Sequence, residues 1–267
     1  MSVLSRFRQL APTEFEMHGA RVVKYTNQRC DNIPKRYQKF FRPRLAKLAS
    51  LAYYDAIMAN ECDSRTAEGK AERRKLLDDA IRTIARMQRP LVVCWSLFET
   101  KEGGKKEWVE LLNREMILLN GAAGYKPGER ELPMIRVFDM SYREDRQFVN
   151  AVRKLHKYTY SKVCSVPSEY KDHLSDQILT FIDNALYCVL EGNSNIPTTK
   201  KQYDIRDGYF KRAIKNLNGL QRPLYALWNV MEYSENTMDE WAELVNESIR
   251  LIQGVRKSDK QRFGDLR

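Results

Sequence analysis

Gln88-Arg89-Pro90-Leu91 and Gln221-Arg222-Pro223-Leu224 are the same four residues set 133 positions apart. The same offset carries Trp95 onto Trp228, Glu107-Trp108 onto Glu240-Trp241 and Glu110-Leu111 onto Glu243-Leu244. Upstream it carries Lys24-Tyr25-Thr26 onto Lys157-Tyr158-Thr159, Ile33-Pro34 onto Val166-Pro167 and Tyr54 onto Tyr187. A single ungapped register accounts for all of these pairs, which chance does not produce. An internal repeat of this kind decides the architecture before any local reading does. It predicts two copies of one unit rather than one large core.

Four helical segments recur in each copy. The first spans about Phe15 to Cys30 and returns at about Phe148 to Val163, with Phe15, Val22, Tyr25 and Thr26 at helical spacing. Asn32-Ile33-Pro34 and Ser165-Val166-Pro167 end it, because proline restricts the residue before it and is tolerated at the start of the next helix. The second helix carries Phe41, Leu45, Leu48, Ala52 and Ala56 on one stripe, matched by Leu174, Ile178, Phe181, Ala185 and Val189. Polar loops follow, from Asn60 to about Ala71 and from Gly192 to about Tyr203. The third helix uses Leu77, Ile81, Ile84, Met87, Leu91, Trp95 and Phe98, and its counterpart Phe210, Ile214, Leu217, Leu220, Leu224, Trp228 and Met231. The fourth uses Trp108, Leu111, Leu112, Met116 and Leu119, and its counterpart Trp241, Leu244, Val245, Ile249 and Ile252. Gly121 and Gly254 stand just past these stripes, where a helix end favours a left-handed residue. No segment alternates with period two.

The expected fold is therefore all-α: two tandem antiparallel four-helix bundles related by the internal repeat. The expected domains are 1–124, a linker at 125–147 opened by Gly121-Ala-Ala-Gly124 and Lys126-Pro127-Gly128 and stiffened by Pro133, and 148–267. The Gln-Arg-Pro step sits inside the third helix. An interior proline costs roughly 3 kcal/mol, so the step reads either as a kink, with Gly219 easing the clash at Pro223, or as a contact exposing Arg89 and Arg222. The four tryptophans lie on apolar stripes and read as core.

Composition narrows the function. Hydrophobic residues are 43% and charged residues 30% of the 267, which suits a well-solvated globular chain. No run approaches the ~18 apolar residues of a membrane span, and Met1–Leu10 lacks the apolar run of a secretory signal. The cysteines, Cys30, Cys62, Cys94, Cys164 and Cys188, are odd in number and show no C-x-x-C, so a reduced cytoplasmic compartment is expected. Enzyme chemistry is not expected. The three histidines, His18, His156 and His173, read as surface or boundary residues, and no metal-ligand, phosphate-loop or cofactor motif is present. Asp78-Asp79 point about 100° apart on a helix and read as a solvated face. No catalytic residue, metal or cofactor is assigned.

The net charge of +11 points to an anionic partner, nucleic acid first. The charge is unevenly divided: residues 1–133 hold 25 basic and 17 acidic residues (+8), and the rest hold 21 and 18 (+3). The second helix of the first copy carries Lys35, Arg36, Lys39, Arg42, Arg44 and Lys47, with no acidic residue between Asp31 and Asp55. The matching stretch of the second copy holds Ser168, Glu169, Asp172, Ser175, Asp176 and Thr180. Arg82, Arg86 and Arg89 extend the contrast at i, i+4, i+7. Cations grouped in this way neutralise phosphates. These nine residues and Arg222 are the candidate nucleic-acid contacts. The C-terminal Arg256, Lys257, Lys260 and Arg262 are expected to form a flexible basic tail.

At this point each copy resembles the four-helix-bundle family that contains the accessory variability determinant (Avd) of diversity-generating retroelements and the bacterial 23S rRNA intervening-sequence proteins. The resemblance is carried by Asn32-Ile33-Pro34-Lys35-Arg36, the alanine-bearing second helix, the Gln-Arg-Pro step and the apolar fourth helix. The departures are the tandem arrangement and the apolar run that continues past Gln-Arg-Pro. The resemblance implies a basic, non-enzymatic partner of a reverse transcriptase and its template RNA, assembled as a ring-like homo-oligomer. No membrane partner is expected, because no helix combines a polybasic face with a large exposed apolar one. The expected function is thus a nucleic-acid-binding accessory protein of a retroelement reverse transcriptase. The alternative is a protein–protein scaffold whose charges only solubilise it.

Overall fold

The computed structural model describes residues 13–98, 100–126, 128–140, 144–167, 170, 174–194, 196–231 and 233–266. Its regular structure is all helical, with no strand among the described residues. By contact the chain divides into two compact units. One is Met1–Leu91 with Thr100–Val137; the other is Val92–Glu99 with Phe138–Arg267.

In the first unit, α1 (Glu14–Asp31) begins where the Thr13 N–H donates to Glu16 Oε2 at 2.6 Å, with Glu14 and Glu16 facing the positive helix end. Helix α2 (Lys35–Glu61) follows Pro34, as the turn chemistry predicts. Gln38 Nε2 donates to the carbonyls of Asp31 and Ile33 at the end of α1. The stripe of α2 is buried at Phe41, Leu45, Ala52 and Ala56, while Leu48 is only half-buried. Ala49 and Ala59 are also buried, so the packed face is rich in alanine and admits close helix approach. Helix α3 (Ala67–Ala85) is capped by Thr66, whose hydroxyl accepts from Gly69 N at 3.0 Å. A Cβ on Gly69 would stand 2.1 Å from the Asp63 carbonyl oxygen, so this turn requires glycine.

The third helix of the first copy is not continuous, contrary to the sequence expectation. It breaks at Arg86-Met87, and α4 (Gln88–Leu97) starts afresh with Pro90 in its first turn, where a missing N–H costs nothing. Residues Leu91 to Leu97 are all at most 6% exposed, so α4 has no solvent face beyond its first turn. Its part from Val92 onward groups with the second unit. Helix α5 (Glu102–Ala122) completes the first unit. Its left-handed terminal residue is Gly124, at φ +83°, rather than Gly121. Helices α1, α2, α3 and α5 pack in a closed circuit, each against two others.

After α5 the chain runs without regular structure through Leu132–Met140. Two carboxamides hold it against the first unit. Gln88 Oε1 accepts from Arg136 N at 2.7 Å while its Nε2 donates to Arg136 O at 3.0 Å. Asn113 does the same for Ile135, at 2.8 Å in both directions. Ile135 is 3% exposed.

The second unit contains α6 (Gln147–Val163), α7 (Asp176–Ser194), α8 (Lys200–Met231) and α9 (Glu235–Phe263). They too pack in a closed circuit, α6 on α7, α7 on α8, α8 on α9 and α9 on α6. Here the third helix does run on through Pro223. Packing also constrains Gly219: a Cβ there would stand 2.6 Å from Phe181 Cε1 on α7. Gly254 lies inside α9, not at its end, and the expected flexible tail is helical. Arg256 Nε donates to Asp207 Oδ1 at 2.7 Å, and the buried Arg206 pairs with Asp259 at 2.6 Å. Trp95, Trp108 and Trp241 are buried as expected, whereas Trp228 is half-buried.

Several side-chain contacts occur in both units at the offset of 133. Tyr25 packs edge-on against Trp108 and Tyr158 against Trp241. Arg29 lies over Tyr25 at 4.7 Å and Lys162 over Tyr158 at 5.0 Å. Arg73 Nη1 donates to the Ala59 carbonyl at 3.0 Å, and Arg206 Nη1 to the Gly192 carbonyl at 2.6 Å.

Candidate nucleic-acid interface

Helix α2 buries Tyr37, Phe41, Leu45 and Ala49, which leaves the opposite arc to solvent. Lys35, Arg36, Lys39, Arg42, Arg44 and Lys47 are all exposed on that arc. At about 100° per residue, Arg36, Lys39 and Lys47 lie nearly opposite the buried stripe, with Lys35, Arg42 and Arg44 on its flanks. Arg36 stacks over the Tyr37 ring at 4.6 Å and Lys39 over Phe40 at 4.9 Å, so their stems lie along the helix. Arg42 pairs with Asp31 at 2.8 Å, both about half exposed, a contact of little energetic weight.

The first turn of α2 contains no acidic residue. Lys35 and Arg36 therefore sit at the positive end of the helix dipole, an unfavourable placement of about 0.3–1 kcal/mol each that an anion would reverse. The corresponding turn of the second copy, with Ser168, Glu169 and Asp172, lies outside the described residues. Ser175 is buried, and Asp176 and Thr180 are exposed on α7. Position for position, Arg44 meets Gln177, a neutral residue.

Arg82 and Arg86 are exposed on and just after α3, and Arg89 is half-buried in the first turn of α4. Arg82 is ion-paired with Asp79. Because α2 and α3 pack together, the first unit gathers nine of the ten expected contact residues. Arg222 is exposed on α8 in the second unit.

Sequence reasoning missed a second group of cations. Lys70, Arg73, Arg74 and Lys75, together with the expected Arg82, line an open cleft of about 740 Å³ beside Ala122–Gly124. Within it Arg74 is committed to the fold, donating to the Ala123 carbonyl at 3.2 Å and lying over the Tyr125 ring at 4.5 Å. Arg130 covers the same ring at 3.9 Å and pairs with Asp78 at 2.7 Å. Lys70 and Lys75 are exposed. The run Lys70, Arg73, Arg74, Lys75 was visible in the sequence, but the helix turns carrying it lie in front of the expected block.

Two histidines are buried, not at the surface. His18 Nδ1 lies 2.8 Å from Glu115 Oε2. Burial pushes the Glu115 carboxyl up to about 8. Burial, then Arg114 and Arg21, lowers His18 below its usual 6.5. The pair is thus neutral near pH 7, with protonated Glu115 donating to the imidazole. In the second unit His156 Nδ1 is 3.0 Å from Ser96 Oγ and His156 Nε2 is 3.2 Å from Asp183 Oδ1. This serine, histidine and carboxylate have the composition of a hydrolytic triad but not its geometry for attack. Ser96 Oγ donates to the Val93 carbonyl at 2.7 Å, so its proton is directed away from the imidazole. Tyr160 completes the set by donating to Asp183 at 3.1 Å, and none of the four is more than 3% exposed. His173 lies outside the described residues.

Among the described residues no cluster of His, Cys, Asp and Glu could hold a metal ion, and no helix is long and apolar enough to cross a membrane. Comparison with protein-family models, curated proteins and solved structures finds no match.

Proposed function

We propose that the chain is a tandem duplication of an Avd-like four-helix bundle and acts, without catalysis of its own, as a nucleic-acid-binding accessory protein of a retroelement reverse transcriptase in a reduced cytoplasm. The observation that carries the nucleic-acid reading is the exposed arc of α2, six cations with no carboxylate of their own helix among them. Cations at a helix N-terminus oppose the dipole, and phosphate oxygens relieve that opposition. The duplication is supported by the contacts that recur 133 residues apart and by the two closed circuits of four helices. The polymerase, the template RNA and a homo-oligomer rest on the family resemblance stated above.

The experiment is a gel shift with a structured RNA on the intact chain and on a variant with Lys35, Arg36, Lys39 and Arg42 changed to Glu. The proposal expects binding in the first and none in the second. The scaffold reading expects the two to behave alike at 150 mM salt.

A further inference from the structure

The first unit shows what the carboxamides shared by the two repeats do. Gln88 and Asn113 each take both backbone polar groups of one residue, and the two residues taken, Arg136 and Ile135, are adjacent. A strand edge recognises its neighbour in the same way, by paired N–H and C=O contacts that ignore side-chain identity. The side chains then supply selectivity: Ile135 is buried and Arg136 is exposed.

In the second unit the residues at the same register are Gln221 and Asn246. Both are exposed, and both line one open cleft of about 480 Å³ between α8 and α9. Among the described residues neither carboxamide has a side-chain hydrogen bond of its own. The floor of the cleft is apolar, with Leu224 and Trp228, and Tyr225 stands on it 63% exposed. Its border carries Glu235 and Asp239. At the same register the first unit has Glu102 and Lys106, so the second cleft is the more acidic.

We infer that this cleft binds an extended peptide segment of a partner protein. Gln221 and Asn246 grip the backbone of two successive residues. An apolar side chain of the kind of Ile135 enters against Leu224 and Trp228. A Lys or Arg next to it faces Glu235 and Asp239. The commitment to a peptide rests on the first unit, where the same two residue types hold the backbone of Ile135 and Arg136. The commitment to a basic neighbour rests on the charge of the border. This surface is separate from the cations of α2 and does not depend on nucleic-acid binding.

The probe is a fluorescent peptide with the sequence of residues 132–138, Leu-Pro-Met-Ile-Arg-Val-Phe, titrated into the full chain by anisotropy. Saturable binding is expected. Gln221→Ala with Asn246→Ala should weaken it at least tenfold without lowering the thermal midpoint, since both residues are exposed. Replacing the arginine of the peptide by glutamate should weaken it further still relative to the parent peptide. No binding to the wild-type chain, or equal binding to the double variant, overturns the inference. Loss of binding in a Gln88→Ala, Asn113→Ala variant with binding intact in the other also overturns it, because the peptide would then be exchanging with the chain's own segment. Self-association of the chain that Gln221→Ala abolishes and the peptide does not compete for would assign the cleft to a second copy, and the partner peptide would be excluded.

Discussion

Trp241 Nε1 donates to Thr159 Oγ1 at 3.0 Å, with both residues fully buried. Trp108 and Thr26, each 133 positions earlier, make the same bond at 3.2 Å. Both indoles also meet a tyrosine edge-on, Tyr158 and Tyr25. Changing Thr159 to Val keeps the shape and removes the acceptor, which leaves a buried indole N–H unpaired. A cost of about 1–3 kcal/mol follows. Thr26→Val should cost a similar amount, and Thr→Ser at either place much less. Urea unfolding of the four variants checks this. A silent Thr159→Val would mean that the bond contributes nothing.

The buried Glu115 gives the first unit a defined pH response. Its folded value of about 8 lies above its ordinary 4.5, so its contribution is complete below pH 4.5 and is lost as pH rises toward 8. His18 works in the opposite sense: its value is lowered, so its contribution is present above 6.5 and lost as pH falls through the folded value. Between pH 6.5 and 8 Glu115 accounts for most of the change in this pair, the remaining deprotonation of unfolded His18 offsetting a smaller part, and the expected net loss is roughly 1–2 kcal/mol. Glu115→Gln should remove that slope, because the amide N–H replaces the carboxyl proton in the bond to His18. Urea midpoints of the wild type and the variant at pH 6.5 and 8.0 are the measurement. Parallel pH dependences would sink the assignment.

How far these features could be read in advance varies by residue. The stripe Phe41, Leu45, Ala52, Ala56 needed only helical periodicity, and all four are buried. The break at Arg86-Met87 was hidden by treating two unequal helices as equal. Leu91-Val92-Val93-Cys94-Trp95-Ser96-Leu97 has no polar face, whereas Tyr225, Asn229 and Val230 of the second copy are exposed. A helix apolar on every side must be buried on every side, and that comparison was available. The histidine partners were not. Glu115 is 97 residues from His18 and Asp183 is 27 from His156, so only the folded chain brings them together. Gly254 illustrates a milder failure, since a glycine after an apolar stripe fits a helix end and an exposed helix interior equally well.

That difference among glycines can be measured. Nothing lies within 4 Å of a Cβ built on Gly254, inside α9. Gly254→Ala should therefore stabilise by about 0.5–1 kcal/mol, the usual gain in an exposed helix interior. A Cβ on Gly192 would lie 2.6 Å from Phe210 Cε1, and Phe210 is fully buried. Gly192→Ala should destabilise by about 1–3 kcal/mol through overpacking. Opposite shifts in thermal midpoint are expected, and shifts of the same sign would contradict the packing described for α7 and α8.

Charge on α2 should act on binding and leave the fold alone. Lys35, Arg36, Lys39 and Arg42 are exposed and lie off the buried stripe, and such substitutions usually move stability by less than about 0.5 kcal/mol each. Lys35 and Arg36 changed to Glu should even favour the helix, since carboxylates suit its positive end. Nucleic-acid binding should respond in the opposite direction. With three or four of these cations on phosphates, log K should fall against log salt with a slope of roughly −2 to −4 in the wild type. Removing each contacting cation should flatten that slope by about one. Reversing Lys70 and Lys75 instead, at the cleft beside Ala122–Gly124, changes the charge half as much, in another part of the same unit. General attraction to a chain of net charge +11 would make the two sets of variants lose affinity in proportion to charge removed. A contact surface on α2 requires a larger loss and a flatter slope for the α2 set at equal charge change. Filter binding of one RNA to both sets between 50 and 300 mM salt separates these outcomes, and equal losses per charge would remove α2 as the contact surface.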